Sequence, residues 1–402
     1  MKRLLHGVTV ADFTWIGAGA YATKLLADLG ADVIKIETST RLDSLRVGRP
    51  FKDKIPGVNR SGYFADRNSS KRSITINLKH AEGLELVKKL IARANLVANN
   101  FTPGIMDKLG LSYDAVKQIR PDIVYACMSM QGATGPDCKD LGYGLTIGAV
   151  TGIQHLIGLP DREPAGTGTN YPDHIPNPGH AAFAMIAALR HQRRTGQGQV
   201  VDIAQTEPPM AMIGPSIMNY LDNKKVDGRR GNANPAMAPH GVYPCCGEDR
   251  WIAIAVASDA QWSALREALG LPDKPEWTHK AGRLADRDML DDLIAESTRG
   301  RHAIPLMQAL QKAGVAAGAV HDASDVLTRD PQLAARGHWL VMDHPEMGPS
   351  TYNSAPFRFS DADSAPSSPA PLLGQHTREI CREFMSLGDA EIDRLVECGA
   401  LI

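Results

Sequence analysis

The stretch 171–202, YPDHIPNPGHAAFAMIAALRHQRRTGQGQVVD, sets one carboxylate, Asp173, among Pro172, Pro176, Pro178 and Gly179, just ahead of an apolar run at 181–189. Proline fixes φ and leaves a loop few conformations, so the Asp173 side chain is expected to point in one direction. The run that follows holds almost only small apolar residues and predicts a buried helix. A carboxylate at the mouth of such a helix is either a cap or a nucleophile for covalent catalysis. His174 and His180 stand beside it, each readable as a packing or capping residue or as a contact for a substrate carboxylate.

A second candidate lies near the start. Gly17-Ala18-Gly19-Ala20-Tyr21-Ala22 is a GxGxxA, and Glu37 follows Gly17 by 20 residues. Together they match the dinucleotide fingerprint, in which glycines admit a pyrophosphate and the acid binds a ribose hydroxyl. The competing reading is that the glycines only allow a strand and a helix to pack closely. Residues 41–72 hold nine basic against three acidic residues. Arg41, Arg46, Arg49, Lys71 and Arg72 are therefore cations available to a phosphate-bearing ligand such as coenzyme A, or else a solvated basic loop.

These groups need a frame. Strands are expected at 8–13, 32–36, 74–78, 96–98 and 123–129, with helices at 20–29, 81–93 and 113–119. The alternation predicts an α/β fold with a doubly wound parallel sheet. Residues 41–72 lack periodicity and read as a long functional loop. A helix is expected at 206–220, and 222–240 is polar. Strands at 251–256 and 315–320 with helices at 261–269, 290–296 and 303–312 then describe a smaller α+β unit at 225–330. A low-complexity linker at 361–371 and a closing helix at 378–385 complete the chain.

The 402 residues are 43% hydrophobic and 22% charged, with a formal net charge of −1. This is the balance of a globular enzyme, with no global field to attract nucleic acid or a membrane surface. His6 and Asp12 interrupt the N-terminal apolar stretch, and no apolar run reaches the ~20 residues of a spanning helix. A cytoplasmic location is the expectation. Six cysteines show no CxxC pair, and thirteen histidines show no HxxxH or HExxH, so no metal site is expected.

Several segments together carry a resemblance: VADFTWIGAGAYATKLLADLGADVIKIE (10–37), KRSITINLKHAEG (71–83), NNFTPGIMDKLGLSYD (99–114), RRTGQGQVVD (193–202), APHGVYPC (238–245), DPQLAARG (330–337) and LLGQHTREI (372–380). The chain resembles the class III coenzyme A transferases (CaiB/BaiF type), which include formyl-CoA:oxalate transferase and α-methylacyl-CoA racemase. The resemblance implies a Rossmann-like large domain from 1–224 completed by a return segment at 331–402, with a small domain at 225–330. It also implies an interlocked, ring-like dimer, either a homodimer or a heteromer with a homologous subunit. No permanently bound cofactor is implied; a CoA thioester is the substrate, and a carboxylic acid accepts the CoA.

Residue by residue, the resemblance makes Asp173 the acyl-accepting nucleophile and Tyr143 an active-site tyrosine. It places Gly17, Ala18, Ile76, Asn77, Leu78, Lys79, Asn100, Phe101, Thr102 and Lys108 at CoA-contact positions. Lys108 stands where the family has arginine, and Thr38 where an arginine is frequent, which turns attention to Arg41 and Arg72 for the adenine side. The glycine-rich loop of formyl-CoA transferase is replaced by residues 234–240, ending in His240, a further candidate for the substrate acid. Leu141-Gly142-Tyr143-Gly144 replaces the histidine-bearing motif of the racemases, leaving no second base there for α-proton exchange. The likeness runs to members acting on succinyl-CoA and on larger acids such as benzylsuccinate. Met128, Met130, Met210, Met212 and Met237 are candidates to line a roomy acid pocket, or are core. The alternatives are a racemase-like enzyme, a non-catalytic subunit of a heteromeric transferase, and a dinucleotide-dependent oxidoreductase.

Overall fold

A computed structural model describes residues 3–402. The described residues form two compact units, one built from 3–154, 166–226 and 332–402, the other from 155–165 and 227–331.

The first unit is organised on a six-stranded parallel sheet. Its strands are β1 (Thr9–Asp12), β2 (Asp32–Glu37), β3 (Arg72–Thr75), β4 (Leu96–Asn99), β5 (Val124–Cys127) and β6 (Val200–Asp202), in the order β3-β2-β1-β4-β5-β6. The order reverses direction between β1 and β4, the switch point where doubly wound folds bind ligands. Register explains why the strands read as continuous apolar runs. Val10 lies opposite Val33 and Leu96, and Leu96 opposite Val124. This row packs against α1 (Ile16–Asp28) and the long helix Pro176–Thr195. The next row, Ala11, Ile34, Val97 and Tyr125, belongs to a separate core with α2's successor on this face, α3 (Ala81–Ile91), where α2 is Gly62–Asn68. A sheet covered on both faces needs apolar residues at every strand position.

The tail contributes to this second core. Ile380, Phe384, Ile392 and Leu395, from helices Thr377–Met385 and Asp389–Glu397, are buried among Ile34, Ile74 and Leu86. The low-complexity segment 361–371 is not a free linker. Ser70 N–H donates to the Ser368 carbonyl at 3.0 Å, Arg3 Nη1 to that of Ala365 at 3.0 Å, and Ala370 is buried. A hairpin of β10 (Trp339–His344) and β11 (Gly348–Asn353) precedes it.

Two further expectations are corrected in this unit. Residues 41–72 contain the helix α2, capped by Ser61 Oγ accepting from Phe64 N–H at 3.2 Å, and two short 3-10 turns. The helix after Asp173 buries one stripe only: Ala181, Ala182, Met185 and Leu189 face the core, while Phe183 is 75% exposed. The second unit holds the antiparallel sheet β7 (His240–Pro244), β8 (Trp251–Ala255), β9 (Ala316–Ala319). Trp262, Trp277, Leu290 and Leu310 form its core.

Candidate active site

The site starts where β1 ends. At the first residue of α1, Ile16, the backbone sits at φ 59°, a left-handed conformation that costs a β-branched residue energy and persists only when its surroundings enforce it. They do. Asn100, just past β4, accepts from Trp15 N–H at 2.8 Å and donates to the Trp15 carbonyl at 2.6 Å, while Asp43 accepts from Ile16 N–H at 3.3 Å.

The glycines that follow serve side chains of the protein itself. A Cβ on Gly17 would lie 3.0 Å from Asp173 Cβ, and one on Gly19 would lie 2.9 Å from Asn100 Cγ. Glu37, the acid of the apparent dinucleotide fingerprint, is held by Arg46 through Nε at 2.7 Å and Nη2 at 2.6 Å, and by Ser73 Oγ at 2.8 Å. Its carboxylate is occupied, so the GxGxxA lacks its ribose ligand.

Asp173 lies in a single helical turn, Tyr171–His174, and is 4% exposed. Its Oδ2 accepts from Gly144 N–H at 3.0 Å; its Oδ1 accepts no hydrogen bond from the described residues. Burial raises its pKa from 3.8 to about 6, against the opposing pull of the Gly144 bond. Gly144 is required for this approach, since a Cβ there would fall 2.5 Å from Asn170 Cβ.

Asp173 opens on a cavity of about 690 Å³ at the carboxyl ends of β1, β3 and β4. Gly17 and Ala18 line it from the start of α1, residues 76–79 from beyond β3, and residues 100–102 from beyond β4. Thus Ile76, Asn77, Leu78, Lys79, Asn100, Phe101 and Thr102 meet in one place although they come from separate loops. Tyr143, 62% exposed, borders the same space. Arg41 reaches it with its guanidinium 5.1 Å from the Trp15 ring centroid, and Trp15 meets Phe101 edge to face. Neither Arg41 nor Lys79 has a carboxylate within ion-pair distance among the described residues. They are the cavity's uncommitted cations.

Other expected site residues lie elsewhere. Arg72 spends its guanidinium on Asp32, Glu379 and Glu383. Arg46 is bound to Glu37, and Lys71 is buried against Asp12 at 2.9 Å. Lys108 is exposed at the end of the short helix Ile105–Lys108 and does not line the cavity. His180 places Nδ1 2.7 Å from the Pro176 carbonyl, one turn back along its own helix. His174 faces Arg67 and Tyr63 instead of the cavity. His240 belongs to the second unit, its Nδ1 2.6 Å from the Asn232 carbonyl. Of the five methionines only Met130 borders the cavity; Met128 is core, and Met210 and Met212 are exposed.

Trp15, Gln205 and the Gly144 amide are features of the site that the residue pattern did not announce. Gln205 joins the wall because its N–H donates to the Ser129 carbonyl at 3.0 Å and its Nε2 to that of Met128 at 2.7 Å, extending the β5–β6 pairing. One group of possible metal ligands occurs among the described residues, His80, Glu82 and Cys398, but Glu82 is already paired with Arg394.

A doubly wound sheet thus carries, at its switch point, a cavity of about 690 Å³ bordered by a buried carboxylate of raised pKa. The sequence profile of "CoA-transferase family III" matches residues 5–377. The chain belongs to this family. It is 33% identical over 97% of its length to the probable CoA-transferase Rv1866 of Mycobacterium tuberculosis, of which it spans 49%, about half. It is 31% identical to the succinyl-CoA–D-citramalate CoA-transferase of Chloroflexus aurantiacus, covering 98% of this chain and 97% of that one. The crystal structure of a CaiB/BaiF family protein from Brucella suis superposes with a TM-score of 0.87 at 34% identity, over 96% of this chain and all of the other. Among the described residues no helix is long and apolar enough to cross a membrane.

Proposed function

We propose that this enzyme moves CoA from an acyl-CoA donor, succinyl-CoA, to a carboxylic acid, with Asp173 as the nucleophile. The observation that carries this reading is the burial of Asp173 beside a cavity whose uncommitted cations, Arg41 and Lys79, suit the phosphates of CoA. Succinyl-CoA is favoured as donor by the Chloroflexus relative, whose name specifies it.

The chemistry follows from the two oxygens of one carboxylate. Oδ1 attacks the thioester carbonyl; the C–O bond forms, the C–S bond breaks, and CoA leaves as its thiolate. The thiolate then attacks the Asp173 carboxyl carbon of the mixed anhydride. At that step Oδ2 is the carbonyl oxygen that gathers negative charge, and the Gly144 N–H already lies 3.0 Å from it. Collapse releases the donor's acid and leaves an aspartyl-CoA thioester. An acceptor carboxylate attacks this thioester, and the thiolate returns to the new acyl carbon, regenerating Asp173. A pKa of about 6 leaves Asp173 ionised at neutral pH and more basic than an exposed aspartate. Burial keeps water from the two activated intermediates.

In this reading residues 76–79 and 100–102 hold the CoA body, and Tyr143 borders the acyl group. The acceptor is a carboxylic acid, with benzylsuccinate-like aromatic acids as the class to test first. The functional species is an interlocked homodimer, supported by apolar side chains that the single chain leaves exposed, such as Phe183 and Leu221.

The test is mass spectrometry of the protein incubated with succinyl-CoA and quenched with hydroxylamine. A hydroxamate on the peptide containing Asp173 is expected, followed by transfer to added acids. Turnover without modification at Asp173 would overturn the nucleophile. Turnover with formyl-CoA and oxalate as the best pair would overturn the donor.

A further inference from the structure

Asp173 is followed by a histidine that does not face the substrate cavity yet is built into a network of its own. His174 Nδ1 lies 2.8 Å from Arg67 Nη2, and its Nε2 lies 3.4 Å from Tyr63 Oη. A guanidinium can only donate, so Nδ1 must accept and the ring proton must sit on Nε2. The tautomer is therefore set by the partner.

Arg67 is itself held from several sides. It pairs with Asp66, whose other oxygen accepts from Asn353 Nδ2 at 2.5 Å, and it lies 4.3 Å from the Tyr21 ring of α1 and 5.6 Å from the Tyr63 ring of α2. The His174 ring meets Tyr63 edge to face at 5.8 Å. Cation, anion and aromatic faces thus join α1, α2 and the turn carrying the nucleophile.

We propose that Arg67 and His174 form a positioning pair, in which the guanidinium locks the imidazole as its Nε2–H tautomer and so anchors the turn that aims Asp173. The proposal rests on Asp173 being the nucleophile. The charged and titratable groups around the imidazole are Arg67, Asp66 and Tyr63 on α2 and Asp173 on its own turn. Burial and the Arg67 charge hold the His174 pKa down to about 4, with Asp66 opposing. The pair consequently holds the turn without adding a titrating cation next to the nucleophile at working pH.

The device separates holding from catalysis. An imidazolium at position 174 would favour the ionised, less basic form of its neighbour. An apolar residue there would leave Arg67 Nη2 without its acceptor, with only the Nη1 pairing to Asp66 remaining. A neutral imidazole with a fixed tautomer avoids both.

The experiment combines kinetics with histidine-selective NMR on the full chain, the His174 signal being assigned by its loss in His174→Leu. In Arg67→Met the His174 titration midpoint is expected to rise toward the ordinary ~6.5. There kcat should fall about 10- to 100-fold, the effect of a nucleophile displaced by under an ångström, while KM for the acyl-CoA stays within about twofold. Arg67→Lys, which can still donate to Nδ1, should recover part of kcat. A kcat within twofold of wild type in Arg67→Met, or an unmoved His174 midpoint, overturns the proposal.

If Arg67→Met does not fold, two changes at position 174 decide. His174→Asn keeps an acceptor for Arg67 and should retain most of kcat, whereas His174→Leu should not; equal losses overturn the pair. Failure of the nucleophile reading is seen separately, as wild-type protein that gives no adduct at Asp173 while its His174 still titrates abnormally low.

Discussion

A buried carboxylate whose proton is held too tightly is both a catalytic asset and a burden on stability. The folded Asp173 titrates near 6 against 3.8 for the ordinary group, so the folded state binds the proton more strongly than the unfolded one. For a raised carboxyl pKa the favourable contribution is complete below about pH 3.8 and is lost as pH rises through about 6. Above that, ionised Asp173 costs roughly 3 kcal/mol, the shift multiplied by about 1.4 kcal/mol per unit. Asp173→Asn keeps an acceptor for the Gly144 N–H and removes the charge. It is expected to lose transfer activity by more than about a thousandfold while unfolding at higher urea at pH 7.5, a gain that disappears near pH 4. For wild type, kcat/KM should fall on the acid side with a midpoint near 6, because only the carboxylate attacks. An acid limb near 4 in the free enzyme would sever the link between burial and reactivity. Gly17→Ala probes the same atom from the other side. Its Cβ would meet Asp173 Cβ at 3.0 Å, so kcat should fall about 10- to 100-fold. Alanine suits a helix start at least as well as glycine, and the urea midpoint should barely move.

At the scale of elements, the basic segment before β3 turns out to build the fold more than to bind ligand. Arg46 is fully buried, bonded through two nitrogens to Glu37 and lying 3.8 Å from the Phe64 ring. Arg46→Met leaves Glu37 charged and unpaired in the interior and should cost about 3–5 kcal/mol in urea denaturation, whereas Arg46→Met with Glu37→Gln should recover much of the loss. A single-variant loss below about 1 kcal/mol would show that the pair is unimportant. This segment also marks where the sequence was readable. The βαβ opening, α3 and the helix at 113–119 were legible because apolar periodicity reports a core face directly. The cavity residues after β3 and β4 were legible through family resemblance, and the structure brings them together. The pairings of Arg46, Lys71 and Arg72 were not legible, since their acidic partners come from other strands and helices and local charge counts cannot show them. The same holds for Gln205, which reaches the cavity wall only through its bonds to Ser129 and Met128. Which face of the helix after Asp173 is buried was not legible, because small residues look alike on both faces.

At the scale of the molecule, the first unit leaves apolar groups in solvent that its own core does not cover. The helix Gly214–Asn223 buries no residue, and Ile217, Met218, Tyr220 and Leu221 on it are 40–54% exposed. Met210 and Met212, just before it, are also exposed, as is Phe183 on the helix that follows the Asp173 turn. Single exposed apolar residues are ordinary, but a helix with none buried has no reason to persist alone. In the proposed homodimer a second copy of the chain would supply that reason, since the symmetry of homo-oligomers makes the same helix available on each partner. Size-exclusion chromatography with light scattering is therefore expected to give a dimer at micromolar concentration. Ile217→Arg with Leu221→Arg should lower the mass toward that of one chain or abolish soluble expression, since two charges in a buried contact cost several kcal/mol each. A monodisperse wild-type monomer with full turnover would overturn the dimer. A chain soluble only when co-expressed with a homologous subunit would replace the homodimer with a heteromer.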